Sequence, residues 1–432
     1  MKLADVIHLF AADGQVRFSA YDGSVAGPKD APAHLTVVSP RAWAHLTRAP
    51  GQIGLARAYV DGDIDVDGDL YTALRSLRTP QPSSLGMDEW RRLTGEVARS
   101  AVQRVRRPPE EAKLRGRRHS KKRDAAAVSH HYDVSNRFYH LVLGPSMTYT
   151  CAVYPSEDAT LEQAQFEKHD LVARKLGLRP GMRLLDVGCG WGGMVIHAAK
   201  HYGVRAVGAT LSRLQAEWAQ QKIAEEGLSD LAEVRFQDYR DVTESGFDAV
   251  SSIGLTEHIG KAKLPAYFEF LYDKLRPGGR LLNHCIMRPR NSDPRIKKRG
   301  FINRYVFPDG ELMGLGHIVR VMQDSGGFEV RHEESLREHY AKTLEAWSAN
   351  LEANWDECVA EAGERRARVW RLYMPGSRLA FERNEIQLHQ VLGVKTDAGR
   401  SGMPLRPGWD VPARLATPTD ETPESEPSAP AS

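Results

Sequence analysis

The first chemical signal lies in the run Leu184-Leu185-Asp186-Val187-Gly188-Cys189-Gly190-Trp191-Gly192-Gly193, which reads as a buried strand that breaks into a glycine-rich turn and then opens a helix. Glycines at such a turn let the backbone come close to a bound ligand. Two spacings are satisfied at once: Gly188, Gly190 and Gly193 fit a dinucleotide site, while Asp186 followed by Gly188, Gly190 and Gly192 fits a methyltransferase site. A dinucleotide site needs an acid about twenty positions further on to hold the ribose hydroxyls. The second strand ends instead in Gly208-Ala209-Thr210, with no acid in it, so the nicotinamide reading loses support. Asp186 beside the loop has no evident packing role, which favours a ligand over a bare structural turn.

Alternating strands and helices must position that loop. From about Val128 the pattern predicts strands over 183–187, 205–209, 233–237, 249–253 and 280–286, with helices such as 192–201 and 214–226 between them. Such alternation gives a mostly parallel sheet with crossover helices, an α/β, Rossmann-like architecture. The expected organisation is a smaller N-terminal α+β domain over 1–84, a basic amphipathic helix and hinge over 85–127, the Rossmann-like domain over 128–406 and a disordered tail over 407–432. The first unit shows strand-like runs at 15–21 and 34–38 and turns at Asp22-Gly23 and Asp61-Gly62, but no cluster of catalytic residue types, so its expected role is packing or lipid docking.

Over 87–107 the apolar residues Trp90, Leu93, Val97, Ala101 and Val105 recur three or four apart, with Arg91, Arg92, Arg99 and Arg106 on other faces. Pro108 and Pro109 stop this helix, and Lys113, Arg115, Arg117, Arg118, Lys121, Lys122 and Arg123 follow with almost no acid. The tail is rich in Pro, Thr, Ser and Glu and too poor in apolar residues to offset ordering entropy.

Composition narrows the class. With 59 basic and 56 acidic residues and a formal charge of +3, the whole-chain charge does not argue for nucleic acid. No run of eighteen or more apolar residues occurs, and residues 1–12 lack a basic lead and a cleavage site, so a cytoplasmic protein without a membrane span is expected. The four cysteines, Cys151, Cys189, Cys285 and Cys358, fit neither a disulfide framework nor a metal knuckle, so no metal is expected.

Set in these elements, several ordered motifs become specific. Residues 187–193, Thr210-Leu211-Ser212 with Gln215, Gln237-Asp238-Tyr239-Arg240-Asp241, and Glu257-His258-Ile259-Gly260 resemble the cyclopropane fatty acid synthases and related mycolic acid methyltransferases in order and spacing. His131-Tyr132-Asp133-Val134-Ser135 and Met147-Thr148-Tyr149-Thr150-Cys151-Ala152 upstream, and 301–312 and His339-Tyr340-Ala341-Lys342-Thr343-Leu344 downstream, look like the same family. The likeness covers about 128–392, and 54–65 looks like the smaller domain of the longer members. An actinobacterial subgroup that makes 10-methylene fatty acids is similar too.

The resemblance implies S-adenosylmethionine-dependent methyl transfer to the cis double bond of an unsaturated phospholipid acyl chain, at the inner face of the membrane. It implies that Tyr149, Thr150, Asp186, Gly188, Cys189, Gly190, Gly192, Thr210, Leu211, Gln215, Asp238 and Tyr239 line the S-adenosylmethionine site. It also implies a bicarbonate ion near Cys151, Glu257, His284, Ile286 and Tyr340, acting as general base. Taken alone, His284 also reads as a satisfied buried histidine and Glu257 as an acid at a helix N-terminus.

The chemistry explains why such residues are wanted. An alkene is a weak nucleophile, so a sulfonium methyl must be held against it in a water-free slot, and attack leaves a carbocation. Aromatic faces stabilise that cation without capturing it, and Tyr132, Phe138, Tyr139, Tyr149 and Trp191 are the candidates. A positioned base must then take a proton, and a bound ion avoids the ester that a side-chain carboxylate could form.

Two departures from the family stand out: Thr256 replaces the aromatic residue usual before Glu257, and Ser377 stands where some members have cysteine. The first leaves cyclopropane and methylene products both open, and a methylene product would need a flavin-dependent reductase as partner to saturate it. A homo-oligomer is left open as well. The alternative functions are a small-molecule C-methyltransferase and a non-catalytic lipid-binding protein on the same fold; nucleic acid is not an expected partner.

Overall fold

In the computed structural model, residues 2–9, 14–77, 86–112, 116–121, 123–124, 134–292 and 300–409 are described. Short strands with alternating burial build a sheet near the N-terminus. β1 (Val16–Ala20), β2 (Val25–Ala26), β3 (Ala33–Val37) and β4 (Ile64–Gly68) lie in the order β2-β1-β3-β4. β1 and β3 run parallel, and the other neighbours are antiparallel. Every second side chain of β1 and β3 is buried, as a sheet with one covered face requires.

The second sheet holds seven strands: β5 (Arg183–Val187), β6 (Arg205–Thr210), β7 (Ala232–Phe236), β8 (Phe247–Ile253), β9 (Leu275–Met287), β10 (Glu329–Ser335) and β11 (Gln387–Val394). Their order is β10-β11-β9-β8-β5-β6-β7. From β9 to β7 all neighbours are parallel, and β11 is inserted antiparallel between β9 and β10. The direction of winding reverses between β5 and β8, and the crevice at such a switch point is where open α/β sheets take ligands. The expected α/β, mostly parallel fold is the observed one, and the five expected strands fall on β5 to β9.

Apolar clusters pack both faces of this sheet. Leu184, Val195, Ala206, Val234 and Leu282 lie with helices Leu161–Leu176 and Gly193–Tyr202 on one face. Leu185, Val250, Phe268, Leu281 and Met322 lie with helices Leu264–Lys274 and Leu315–Asp324 on the other.

The basic helix corrects its sequence reading. It runs Met87–Ser100 rather than to residue 107, because Arg48 draws the next segment into a non-helical path by donating to the Gln103 carbonyl at 2.7 Å. Its buried residues are Glu96, held by Tyr21 and Arg99, and Ser100, which donates to the Val97 carbonyl, while Met87, Trp90 and Val97 are 71%, 44% and 45% exposed. Of the expected apolar stripe, Trp90, Val97 and Ala101 are exposed, and Leu93 and Val105 are half-buried. Three members of the basic run that follows are paired within the chain: Arg118 and Arg123 with Asp309 at 2.8 and 2.5 Å, and Lys121 with Asp241 at 2.5 Å. Lys113, Arg115 and Lys122 lie outside the described residues, as do Tyr132 and the tail beyond Trp409.

The N-terminal unit is bolted to helix Glu364–Glu382. Arg368 donates to the Tyr59 and Ile64 carbonyls at 2.7 and 2.9 Å, and Arg371 to the Val66 carbonyl at 3.0 Å. Between the two units Glu111, 2% exposed, pairs with Arg57 at 2.5 Å, accepts from the Tyr305 hydroxyl at 3.3 Å and lies 3.7 Å from Arg304.

Candidate active site

The carboxyl ends of β5, β6, β7, β8 and β9 carry the residues singled out in the sequence. After β5, Gly188, Gly190 and Gly192 all take positive φ, of 72°, 55° and 76°. The loop is stitched to β6 by Gly188 and Cys189 N–H groups on the Ala209 carbonyl, at 2.9 and 3.0 Å. A Cβ at Gly192 would press on Ala219 and Val234, so glycine is needed there for packing. A Cβ at Gly190 would meet nothing within 4 Å, so this turn borders free space of the kind a ligand fills.

Asp186 is 2% exposed and accepts from the Ser251 hydroxyl at 2.6 Å. Burial pushes its carboxyl up to about 7, against the pull of that hydroxyl and of Lys168. After β6, Thr210 donates to the Gln215 side-chain carbonyl at 2.8 Å, both residues are buried, and Leu211 is half-buried beside them. After β7, Asp238 is closed by Arg240 at 2.6 Å, and Tyr239 packs edge-on to Tyr267 and Phe270. Asp238 is therefore already paired within the protein.

The proposed base site gathers on β8 and β9. Glu257, on the short helix Thr256–Ile259, accepts from the Ile286 N–H at 2.6 Å through Oε1, while its buried Oε2 has no partner. Burial pushes Glu257 up to about 7. His284 is fully buried two residues before Ile286, and Gln390 on β11 lies 3.3 Å from its Nδ1. The Gln390 carbonyl accepts from Lys175 at 2.7 Å, which aims the amide N–H at Nδ1 and leaves the imidazole proton on Nε2. That Nε2 is buried without a partner.

Cys151 and Tyr340 share one apolar cluster with Leu336, and Ile286 packs against it. Burial drives the Cys151 thiol far up, and it donates toward the Ala152 and Leu336 carbonyls. It therefore stays a neutral thiol.

An aromatic wall encloses Tyr149. Its ring lies 5.3 Å from Trp347, 5.4 Å from Trp370 and 6.1 Å from Tyr139, and its hydroxyl donates to Tyr373 at 3.1 Å. Tyr139 in turn lies 4.7 Å from Trp191. Trp347, Trp370 and Tyr373 were not singled out in the sequence, since no spacing ties them to Tyr149. Phe138 packs edge-on to Tyr139 and Trp370 and is wholly buried.

Lys168 and Gln165 were also missed. Gln165 donates to the Thr148 and Thr150 carbonyls at 3.3 and 2.9 Å, and Lys168 donates to the Thr150 hydroxyl at 3.0 Å. Together they clamp the segment that carries Tyr149, Thr150 and Cys151. Thr256 donates to the Asn283 side-chain carbonyl at 2.5 Å, and Ser377 is 9% exposed on helix Glu364–Glu382.

Comparison with known proteins decides what this crevice serves. Residues 119–391 match the family model described as mycolic acid cyclopropane synthetase. The chain belongs to that family. It is a methyltransferase of the cyclopropane fatty acid synthase type, dependent on S-adenosylmethionine. It is 53% identical over 430 residues to the probable fatty acid methyltransferase Rv3720 of Mycobacterium tuberculosis, covering 95% of this chain and 98% of that protein. It is 40% identical over 385 residues to a probable fatty acid methyltransferase of Pseudomonas putida, covering 88% and 92%. The solved structure of the mycolic acid cyclopropane synthase CmaA1 with SAH and CTAB matches at a TM-score of 0.59 and 35% identity, over 62% of this chain and 97% of that one.

The methyltransferase has an open glycine turn and a buried Thr210–Gln215 pair at its switch-point crevice. Among the described residues no helix is long and apolar enough to cross a membrane.

Proposed function

We propose that the methyltransferase alkylates the cis double bond of an unsaturated acyl chain in membrane phospholipid, giving a methylene-branched or cyclopropane product. The observation that carries this reading is a pair of buried, unpartnered polar atoms, Glu257 Oε2 and His284 Nε2, beside Ile286, which packs against the same aromatic cluster as Tyr149. Buried polar groups are ordinarily satisfied, so an orphaned acceptor and an orphaned donor mark room for a small polar guest. Bicarbonate, with one O–H to give and anionic oxygens to receive, matches that pair, and when bound it supplies a base for the proton the alkylated chain must lose.

The protein's own groups supply the rest. Gln165 and Lys168 fix the strap 148–151, so Tyr149 presents its face to the slot and stabilises positive charge there. Gln390 and Lys175 hold His284 in one tautomer. Glu257 bridges to the Ile286 backbone and keeps β8 and β9 in register at the site.

The outward stripe of Met87, Trp90 and Val97 supports docking on the bilayer, since apolar side chains flanked by Arg91 and Arg99 suit the interface of an anionic membrane. A methylene product would call for a flavin-dependent reductase to saturate it. The test is to incubate the protein with labelled S-adenosylmethionine and unsaturated phospholipid vesicles and to identify the released fatty acids by mass spectrometry. Label in the acyl chain supports the reading, and ring or branch is read from the fragments. Label confined to headgroups or to water-soluble acceptors would sink it.

A further inference from the structure

Beneath the glycine loop, helix Leu161–Leu176 turns the ionisable side chains of Lys168, His169 and Asp170 into the interior in an arrangement of which the steps above use only the Lys168 bond to Thr150. Lys168 is 1% exposed, and its Nζ lies 2.9 Å from His169 Nε2. From there imidazoles continue outward. The His169 ring centroid is 5.6 Å from that of His197, and His197 is 4.7 Å from His201. His169 and His197 are buried, and His201 is half-buried at the end of helix Gly193–Tyr202. Phe166 lies edge-on to both outer rings, at 4.9 and 5.2 Å. Asp170 lies 3.3 Å from His197 Nε2 and accepts from the Tyr202 hydroxyl at 2.8 Å and from Arg174 at 2.6 Å, which fixes the middle ring. At the inner end, Asp186, Cys151 and His284 face the Lys168 charge.

The alkylation proposed above leaves one proton over in every turnover. The C–S bond of the sulfonium breaks with its electron pair kept by sulfur, and the alkene π pair makes the new C–C bond. A C–H bond of the added methyl then breaks, its pair closing the ring or, once a 1,2-hydride shift has moved the cation to the methylated carbon, making the methylene double bond. A slot that excludes water to protect the cation also confines the released proton. We propose that Lys168, His169, His197 and His201 form the line by which that proton reaches solvent. The inference rests on the alkylation reading, but the arrangement of the four residues stands apart from it.

Each member is suited to its place. Burial pulls the Lys168 ammonium down to about 7, so it can give up a proton at neutral pH. Burial, with Lys168 beside it, holds His169 well below the usual imidazole range, so the ring rests neutral, and its Nε2, 2.9 Å from the Lys168 ammonium, accepts from it. An imidazole takes a proton on one nitrogen and releases one from the other, which a lysine or a carboxylate cannot do. Asp170 remains ionised, at about 2, despite the burial that opposes it, and can balance a cation passing through His197.

The test compares the wild type, loaded with S-adenosylmethionine on unsaturated phospholipid vesicles, with His169→Leu, His197→Leu and His201→Gln in weakly buffered solution. Methyl transfer is followed by rapid quench and proton release by a pH-indicator dye in the same first turnover. The two keep pace in the wild type. In the variants first-turnover methyl transfer is retained, proton release lags at least tenfold, and added imidazole restores it. Histidine ¹⁵N NMR gives a readout independent of turnover: Lys168→Met should raise the midpoint at which His169 takes up a proton. Calorimetric S-adenosylmethionine binding checks folding, and His201→Gln, near the surface, keeps the test open if a buried variant fails to fold. No acyl methylation by the wild type would count against the alkylation reading. Methylation with undelayed proton release in the variants, or an unmoved His169 midpoint, overturns the exit line alone.

Discussion

Glu257 shows how burial sets the behaviour of a single residue. The unfolded chain ionises this carboxyl near 4.5 and the folded one near 7, so between those values the folded state holds more protons and stability falls as pH rises. Glu257→Gln should therefore melt at a temperature that varies less with pH across this window than the wild type does, as thermal scans of the ligand-free protein would show. The same substitution should remove most turnover while S-adenosylmethionine still binds, because the buried, unpartnered Oε2 is proposed to hold the base rather than the cofactor. Gly190→Val should do the converse. With φ at 55° and open space where its Cβ would stand, the new side chain strains the turn and occupies the ligand's room, and calorimetry should record at least a tenfold weaker cofactor. Gly190 was legible in sequence from its contiguous glycine motif, whereas Glu257 and His284 were singled out only through the family resemblance, since each alone reads as an ordinary structural residue. Lys168 and Gln165 were not, since a polar residue on a helix reads as solvated unless its position on the buried face is noticed. Their spacing with His169 and Lys175 on a helix that must bury one side was the available signal.

At the scale of elements, strand periodicity gave β5 to β8 to within two residues and β9 short by five at its start, because strands buried on both faces are continuous apolar runs and β9 opens through the polar stretch Arg276-Pro277-Gly278-Gly279. β11 escaped notice: its pairing with β9 joins residues more than a hundred positions apart, and only the folded sheet brings His284 to Gln390. The helix Met87–Ser100 was found but ends earlier than its periodicity suggested, and the side it buries carries the ion-paired Glu96, which leaves Trp90 and Val97 exposed. The membrane prediction moves accordingly. Replacing Trp90 and Val97 with Ser should lower vesicle co-sedimentation several-fold without changing the melting temperature, since these side chains touch little of the protein. Arg123→Ser should act differently, lowering the melting temperature by leaving Asp309 with one cation instead of two. Equal vesicle binding by the Trp90/Val97 variant would remove the helix from the contact.

For the whole molecule, the joint between the two units decides stability as much as either core does. Glu111→Ala leaves Arg57 and Arg304 facing each other across a buried gap, and loss of one partner of such a pair costs about 3 kcal/mol. Chemical denaturation should show that loss, with S-adenosylmethionine affinity unchanged at low denaturant. The insertion of β11 between β9 and β10 bears in turn on how the protein is made. A ribosome delivers the chain from its N-terminus, so the glycine turn, Glu257 and His284 emerge well before the strand that carries Gln390. The helix that docks the N-terminal unit through Arg368 and Arg371 also arrives late. Until Val394 is synthesised, the nascent chain holds β9 as an open edge beside an unfinished pocket, and a transcript cut short by a few dozen codons encodes a sheet that cannot close.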